Sequence, residues 1–141
     1  KAFQQIKFTT GLMGRWECLQ ESPKLFLDVA HNEHGMHALL DQLANLSFNH
    51  LHIITGMVKD KDVDAVLGML PKEASFYFSN AHIPRALPAA ELAEKAKKIG
   101  IHGLVFDNVN EAITAANKNA HPNDLIIVMG SIFLVAEVAR T

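Results

Sequence analysis

A chain of 141 residues is the size of one ordinary domain, and with 49% of its residues apolar it has ample material for a core and lies far from the disordered class. The formal net charge of −2 excludes the basic footprint of a nucleic-acid binder. A single cysteine, Cys18, excludes an internal disulfide framework and points to a structural thiol in a reducing, cytoplasmic setting.

Residues 1–14 show no sustained periodicity and close on Gly11 and Gly14, as expected of a linker or the tail of an upstream element; the start at Lys1 rather than Met fits a piece of a longer protein. Arg15 to Leu19 reads as a short strand. Glu21-Ser22-Pro23-Lys24 is a turn, and Leu25 to Val29 a buried strand hairpin-paired with the first. Glu33 to Leu46 then reads as a helix, with Met36, Leu39, Leu40 and Leu43 on one face and Asn32 as its N-cap. Strands over Leu51–Thr55, Ala74–Phe78, Gly103–Phe106 and Leu125–Met129 alternate with helices over Val63–Leu70, Ala89–Ile99, Val109–Lys118 and Ile132–Arg140. The last apolar run, Leu125 to Ala136, is shorter than the roughly 20 residues a membrane helix needs.

Such alternation means βαβ units and a parallel sheet. The expected architecture is an α/β three-layer sandwich: five parallel strands plus one antiparallel edge strand, with helices on both faces. Polar residues collect at one end of it. Asp28, His31 and Asn32 follow the first parallel strand; Gly56, Asp60 and Lys61 the next; Ser79, Asn80 and Arg85 the third; Asp107 and Asn108 the fourth; Gly130 and Ser131 the fifth. In such sheets this is the ligand-binding end. Several of these residues also suit helix N-caps, Asn108 above all.

No G-x-x-x-x-G-K-[ST] and no G-x-G-x-x-G occurs, so the chain does not supply the main phosphate cradle for a nucleotide. The triplet His31-x-x-His34-x-x-His37 invites a metal reading. On a helix, however, its outer members diverge by about 120°, which leaves His31 as a site residue, His34 and His37 facing solvent, and no metal site. Arg15, Lys61 and Arg85 are cations of the kind that pair with phosphates or carboxylates.

Taken in order, five segments resemble the C-terminal domain of folylpolyglutamate synthase, in bacteria often bifunctional with dihydrofolate synthase, of the Mur ligase superfamily. Gly14-Arg15-Trp16-Glu17 resembles P-G-R-x-E, and Asp28-Val29-Ala30-His31-Asn32 resembles D-G-A-H-N. Gly56 to Asp62 resembles G-x-x-x-D-K-D, Ile83-Pro84-Arg85-Ala86 resembles x-P-R-A, and Val128-Met129-Gly130-Ser131 resembles V-x-G-S. The match spans about Leu12 to Arg140. Met13 stands where Pro is common, and Val29 where Gly is common.

The resemblance implies a Rossmann-like fold for residues 15–141, preceded by a tail from an N-terminal ATPase domain. It implies an enzyme that joins L-glutamate to dihydropteroate or a folate, with ATP activating the acceptor carboxylate as an acyl phosphate. Arg15, Asp28, His31 and Asn32 would then bind ATP. Lys61, Arg85 and Ser131, by likeness to the wider superfamily, would hold the incoming glutamate. The phosphate loop, the Mg2+ ligands and most of the folate pocket would lie in the N-terminal domain of the same polypeptide, so no certain catalytic residue is assigned here and the isolated chain is expected to be inactive. A monomer is expected, with no nucleic-acid or membrane partner. The alternatives are the equivalent domain of a peptidoglycan-precursor ligase, or a non-catalytic nucleotide-binding module.

Overall fold

Strands β3 (Leu51–Thr55) and β6 (Leu125–Met129) are buried along their whole length, as befits the middle of a sheet covered on both faces. The computed structural model describes residues 17–59 and 62–139, so Arg15 and Lys61, and the linker reading of residues 1–14, lie outside the described residues. The remaining elements are β1 (Glu17–Glu21), β2 (Lys24–Leu27), α1 (Glu33–Ala44), α2 (Val63–Met69), β4 (Ser75–Phe78), α3 (Ala89–Lys97), β5 (Gly103–Val105), α4 (Val109–Asn119) and α5 (Ile132–Ala136).

The six strands form one sheet in the order β1-β2-β6-β3-β4-β5. β1 runs antiparallel to β2 at one edge, and every other pairing is parallel. This is the expected architecture. From β2 to β5 the chain steps in one direction across the sheet, then returns to insert β6 between β2 and β3. A right-handed crossover taken in the reverse direction must use the opposite face. Accordingly α1, α2 and α3 pack on one side and α4 and α5 on the other.

The two-residue strand period divides the core between these faces. Phe26, Ile53, Phe76, Phe78 and Ile127 pack toward Met36, Leu39, Leu67 and Leu92. Leu25, Leu27, Ile54, Tyr77 and Val128 pack toward Val109, Ala112, Leu134 and Val135. Each large side chain buried in this way stabilises the fold by about 1.5–3 kcal/mol relative to exposure. Small residues on α4, Ala112 and Ala116, are fully buried and let that helix lie close to the sheet.

Several boundaries differ from the sequence expectation. β2 ends at Leu27, not Val29, because Asp28 begins a turn. The first strand runs on to Glu21, two residues beyond the expected Leu19. α5 ends at Ala136 instead of running on to Arg140: the Glu137 and Val138 N–H groups donate back to Leu134 and Val135 carbonyls, closing the last turn. Cys18 is buried in β1, and burial pushes its thiol pKa up, which fits a structural role.

Candidate functional site

Each parallel strand runs into its loop at the same rim of the sheet. The β2–α1 loop opens with Asp28, whose backbone N–H still bonds Val128 as a last rung of the sheet. Its carboxylate Oδ1 accepts the Ala30 N–H at 2.9 Å, a side-chain turn that swings the chain out of the strand. Asp28 is only 6% exposed. His31 follows, half-buried, with Nδ1 lying 3.0 Å from the Val29 carbonyl. A carbonyl only accepts, so Nδ1 carries the proton and Nε2 is the acceptor of the neutral ring. Asn32 caps α1, its Oδ1 accepting the Gly35 N–H at 2.8 Å. Cap and candidate site residue thus coincide on one short loop.

A cleft of about 150 Å³ lies between the starts of α1 and α2, lined by His31, Asn32, Glu33, Asp62, Ala65 and Val66. Asp62 caps α2 through the Ala65 N–H. A groove of about 580 Å³ lies at the opposite rim against Lys24, Phe48 and Asp124. It is lined by the loops that enter the amino ends of the strands, away from the helix N-termini, which gather at the carboxyl rim where such sheets bind ligands.

At the centre of that rim, β3, β4 and β6 end in near contact. Gly130 has φ +118°, and a Cβ there would stand 2.5 Å from the Gly56 carbonyl oxygen and 2.6 Å from Thr55 Oγ1. A Cβ on Gly56 would stand 2.6 Å from the Ser79 carbonyl oxygen. Only glycine permits both approaches. The Thr55 and Ser79 hydroxyls are buried at this junction with no hydrogen-bond partner among the described residues. Thr55 was not singled out in the sequence, since a Thr ending an apolar strand carries no signal of its own.

Ser131 follows Gly130 and caps α5, its Oγ accepting the Phe133 N–H at 3.0 Å; the residue is 4% exposed. Arg85 lies across from it on the β4–α3 loop. Its guanidinium carbon sits 5.6 Å from the centroid of the Phe133 ring, a cation–π stack. The Arg85 backbone is fixed as well: its carbonyl accepts the Lys59 N–H at 2.7 Å, and Val58 and Ala86 form an antiparallel bridge. The segment carrying Lys59 is thereby zipped to the segment carrying Arg85, with Phe133 of α5 as the third side.

The rim therefore unites Asp28, His31 and Asn32 on one loop and Arg85 and Ser131 around α5. His34 and His37 are exposed along α1, and no group of three His, Cys, Asp or Glu suited to a metal ion occurs among the described residues. Asn108 caps α4 through the Glu111 N–H. His82 and Glu137, which pair at this rim, were missed: they lie 55 residues apart, and neither belongs to a motif. Among the described residues no helix is long and apolar enough to cross a membrane.

The family described as Mur ligase, glutamate ligase domain, matches residues 14–132. A dihydrofolate synthase/folylpolyglutamate synthase of Escherichia coli (strain K12) is 34% identical over 129 residues, covering 90% of this chain and 30% of that protein. The crystal structure of a bifunctional folylpolyglutamate synthase/dihydrofolate synthase from Yersinia pestis, complexed with AMPPNP and Mn ion, superposes with a TM-score of 0.81 at 32% identity, covering 91% of this chain and 30% of that one. A structure of a bifunctional enzyme of the same name with Mn, AMPPNP and L-glutamate bound gives a TM-score of 0.81 at 32% identity, covering 91% of this chain and 31% of that one. The chain thus spans about a third of the length of these relatives. By a match over most of its length, and by the sheet and rim just described, the chain belongs to the Mur ligase glutamate ligase domain family.

Proposed function

We propose that this chain is the second wall of an ATP-dependent ligase that joins L-glutamate to dihydropteroate or a folate. The observation that carries this reading is the rim itself: a buried carboxylate, an imidazole and a helix start on the β2–α1 loop, facing the same end of the sheet as a stacked Arg and the Gly130-Ser131 turn. In the reaction, the acceptor carboxylate takes the γ-phosphoryl group of ATP to give an acyl phosphate and ADP. The glutamate amine then attacks the acyl carbon, an amide forms, and inorganic phosphate and a proton leave. Such chemistry rests on positioning and charge neutralisation.

The residues present suit a nucleotide sugar. Ribose hydroxyls donate hydrogen bonds, and Asp28 and His31 Nε2 are acceptors. Arg15, on the resemblance, reaches the phosphates. Lys61, Arg85 and Ser131 suit the glutamate carboxylates, since charge-assisted bonds from Arg and Lys are the strong way to hold them. AMPPNP, an ATP analogue, and L-glutamate are bound in the related enzyme, which supports a nucleotide and an amino acid as the ligands. Mg2+ and the phosphate loop belong, on this reading, to an N-terminal domain of the same polypeptide, and residues 1–14 lead in from it. The working protein is then a cytoplasmic monomer whose site closes between two domains.

The test is a ligation assay on the full-length protein with ATP, L-glutamate and each pterin substrate in turn. ATP- and glutamate-dependent phosphate release that also requires dihydropteroate or a folate supports the reading. Nucleotide binding without ligation of any pterin would favour the non-catalytic module and sink it.

A further inference from the structure

His82, in the β4–α3 loop, meets two acceptors at once. Its Nδ1 lies 2.8 Å from Glu137 Oε1, and its Nε2 lies 3.1 Å from the Asp107 carbonyl oxygen. A neutral imidazole offers one N–H and one lone pair, so it satisfies only one of these; the imidazolium donates to both. Glu137 grips the residue a second time, its Oε2 accepting the His82 backbone N–H at 2.6 Å.

Glu137 in turn is anchored. It closes α5, and its carbonyl accepts from Asn110 Nδ2 at 2.9 Å, while Asn110 Oδ1 accepts the Ala139 N–H at 2.8 Å. One protonated ring therefore joins the β4–α3 loop, the β5–α4 loop and the end of α5. The same β4–α3 loop touches α5 at a second point, where Arg85 stacks on Phe133. Contacts that hold loop and helix together thus include the His82–Glu137 pair, the His82 backbone N–H to Glu137 and the Arg85–Phe133 cation–π contact.

We propose that His82 and Glu137 form a proton-operated clasp that positions Arg85 for the carboxylate of the incoming amino acid, and that the clasp weakens when His82 gives up its proton, because the charge is lost and one of its two acceptors loses its N–H donor. The proposal rests on the reading of Arg85 as a glutamate ligand. The charged groups facing His82 are Glu137 at the end of α5 and Asp107 in the β5–α4 loop, both acids. The hydrogen bond to Glu137, with its charge, holds the imidazolium above the ordinary histidine range. The His82 side chain is 59% exposed, so its proton exchanges freely with solvent. His82 is a positioning residue and touches no substrate.

The experiment measures the KM for glutamate in the full-length enzyme from about pH 6 to about pH 9, across the histidine range, for wild type, His82→Gln and Glu137→Gln. Taking the variant-to-wild-type ratio at each pH cancels the titration of the substrate amine. At the acid end the ratio should be about two- to fivefold, the reach of an exposed ion pair, and it should fall toward one at the alkaline end, with kcat and the KM for ATP unchanged. A ratio of one at every pH, or a raised ratio that ignores pH, overturns the clasp. A second measurement needs no catalysis: in an NMR titration, the Phe133 ring signals should shift with the midpoint of the His82 ring. Phe133 signals indifferent to that midpoint overturn the coupling. If they follow it while the protein ligates nothing, the clasp stands and the glutamate reading falls.

Discussion

His52 and Asp124 form a buried pair at the rim opposite the candidate site, with Nε2 3.0 Å from Oδ2 and each side chain 3% exposed. The carboxylate accepts, so Nε2 carries the proton. Nδ1 of the neutral ring then accepts from the Tyr77 hydroxyl at 2.9 Å, and Tyr77 in turn accepts from Asn119 Nδ2 at 3.3 Å. Every member of the chain β3–β4–α4 is satisfied without a charge on His52. Asp124 also accepts the His121 N–H at 2.9 Å, which fixes the turn leading into β6.

Acid stability should report this pair. Burial by itself raises the Asp124 pKa, but the His121 N–H and the His52 ring outweigh it and hold the carboxyl below its ordinary 3.8. A lowered folded pKa means the stabilisation is fully present above the unfolded value and is lost as pH falls through the folded one. Asp124→Asn should therefore cost about 1–3 kcal/mol near neutral pH, the cost of weakening a buried charged acceptor. The difference from wild type should shrink in acid. Urea unfolding at neutral pH and below the carboxyl pKa checks this; an equal loss at both would show that charge is not what Asp124 contributes.

The glycines supply a paired test of backbone geometry. Gly130→Ala forces a Cβ against the Gly56 carbonyl and Thr55 at positive φ, so it should destabilise by about 2 kcal/mol or more. Gly68, inside α2, has nothing within 4 Å of its would-be Cβ. Gly68→Ala should stabilise by about 0.5–1 kcal/mol. Thermal unfolding of both variants measures the contrast, and Gly130→Ala with an unchanged midpoint would refute the close approach.

These relationships divide by how far apart their residues lie in the chain. Leu51–Thr55 and Leu125–Met129 are readable as strands because apolar runs bounded by turn residues have few other uses in a domain of this size. Asn32 and Asn108 are readable as caps because capping is local, reaching to Gly35 and Glu111. The loop of Asp28, His31 and Asn32 is legible for the same reason, being one contiguous segment at a strand end. The His52–Asp124 and His82–Glu137 pairs are not, since each joins residues that meet only through the sheet order. The overlong α5 is a failure of periodicity. Leu134, Val135 and Val138 keep a helical apolar pattern and are all buried, but Val138 reaches the core from the closing turn, not from the helix.

Asp28 permits a separation of structural from ligand-binding roles. Asp28→Asn keeps an Oδ1 that can accept the Ala30 N–H, so the turn should survive, at a stability cost of about 1–3 kcal/mol or less for weakening a buried charged acceptor. If the carboxylate binds ribose hydroxyls, the full-length enzyme should still show a KM for ATP raised by about tenfold or more, the worth of a hydrogen bond to a charged group. Asp28→Ala should lose both. An Asn variant with wild-type ATP dependence would make Asp28 a turn residue alone.

Arg85 carries the last prediction, on the glutamate side. Its backbone is held by Lys59 and its side chain lies on the exposed Phe133 ring, so truncation to Arg85→Ala removes little buried structure. Stability should change by about 0.5 kcal/mol or less. The KM for glutamate should nonetheless rise by about tenfold or more as a charge-assisted carboxylate bond is lost, while the KM for ATP stays put. Arg85→Lys keeps the charge but loses the guanidinium's fork of donors, so it should recover only part of the loss. Steady-state kinetics with glutamate and ATP varied separately distinguishes the outcomes. A KM for ATP that rises in step with that for glutamate would move Arg85 from the amino-acid side of the rim to the nucleotide side.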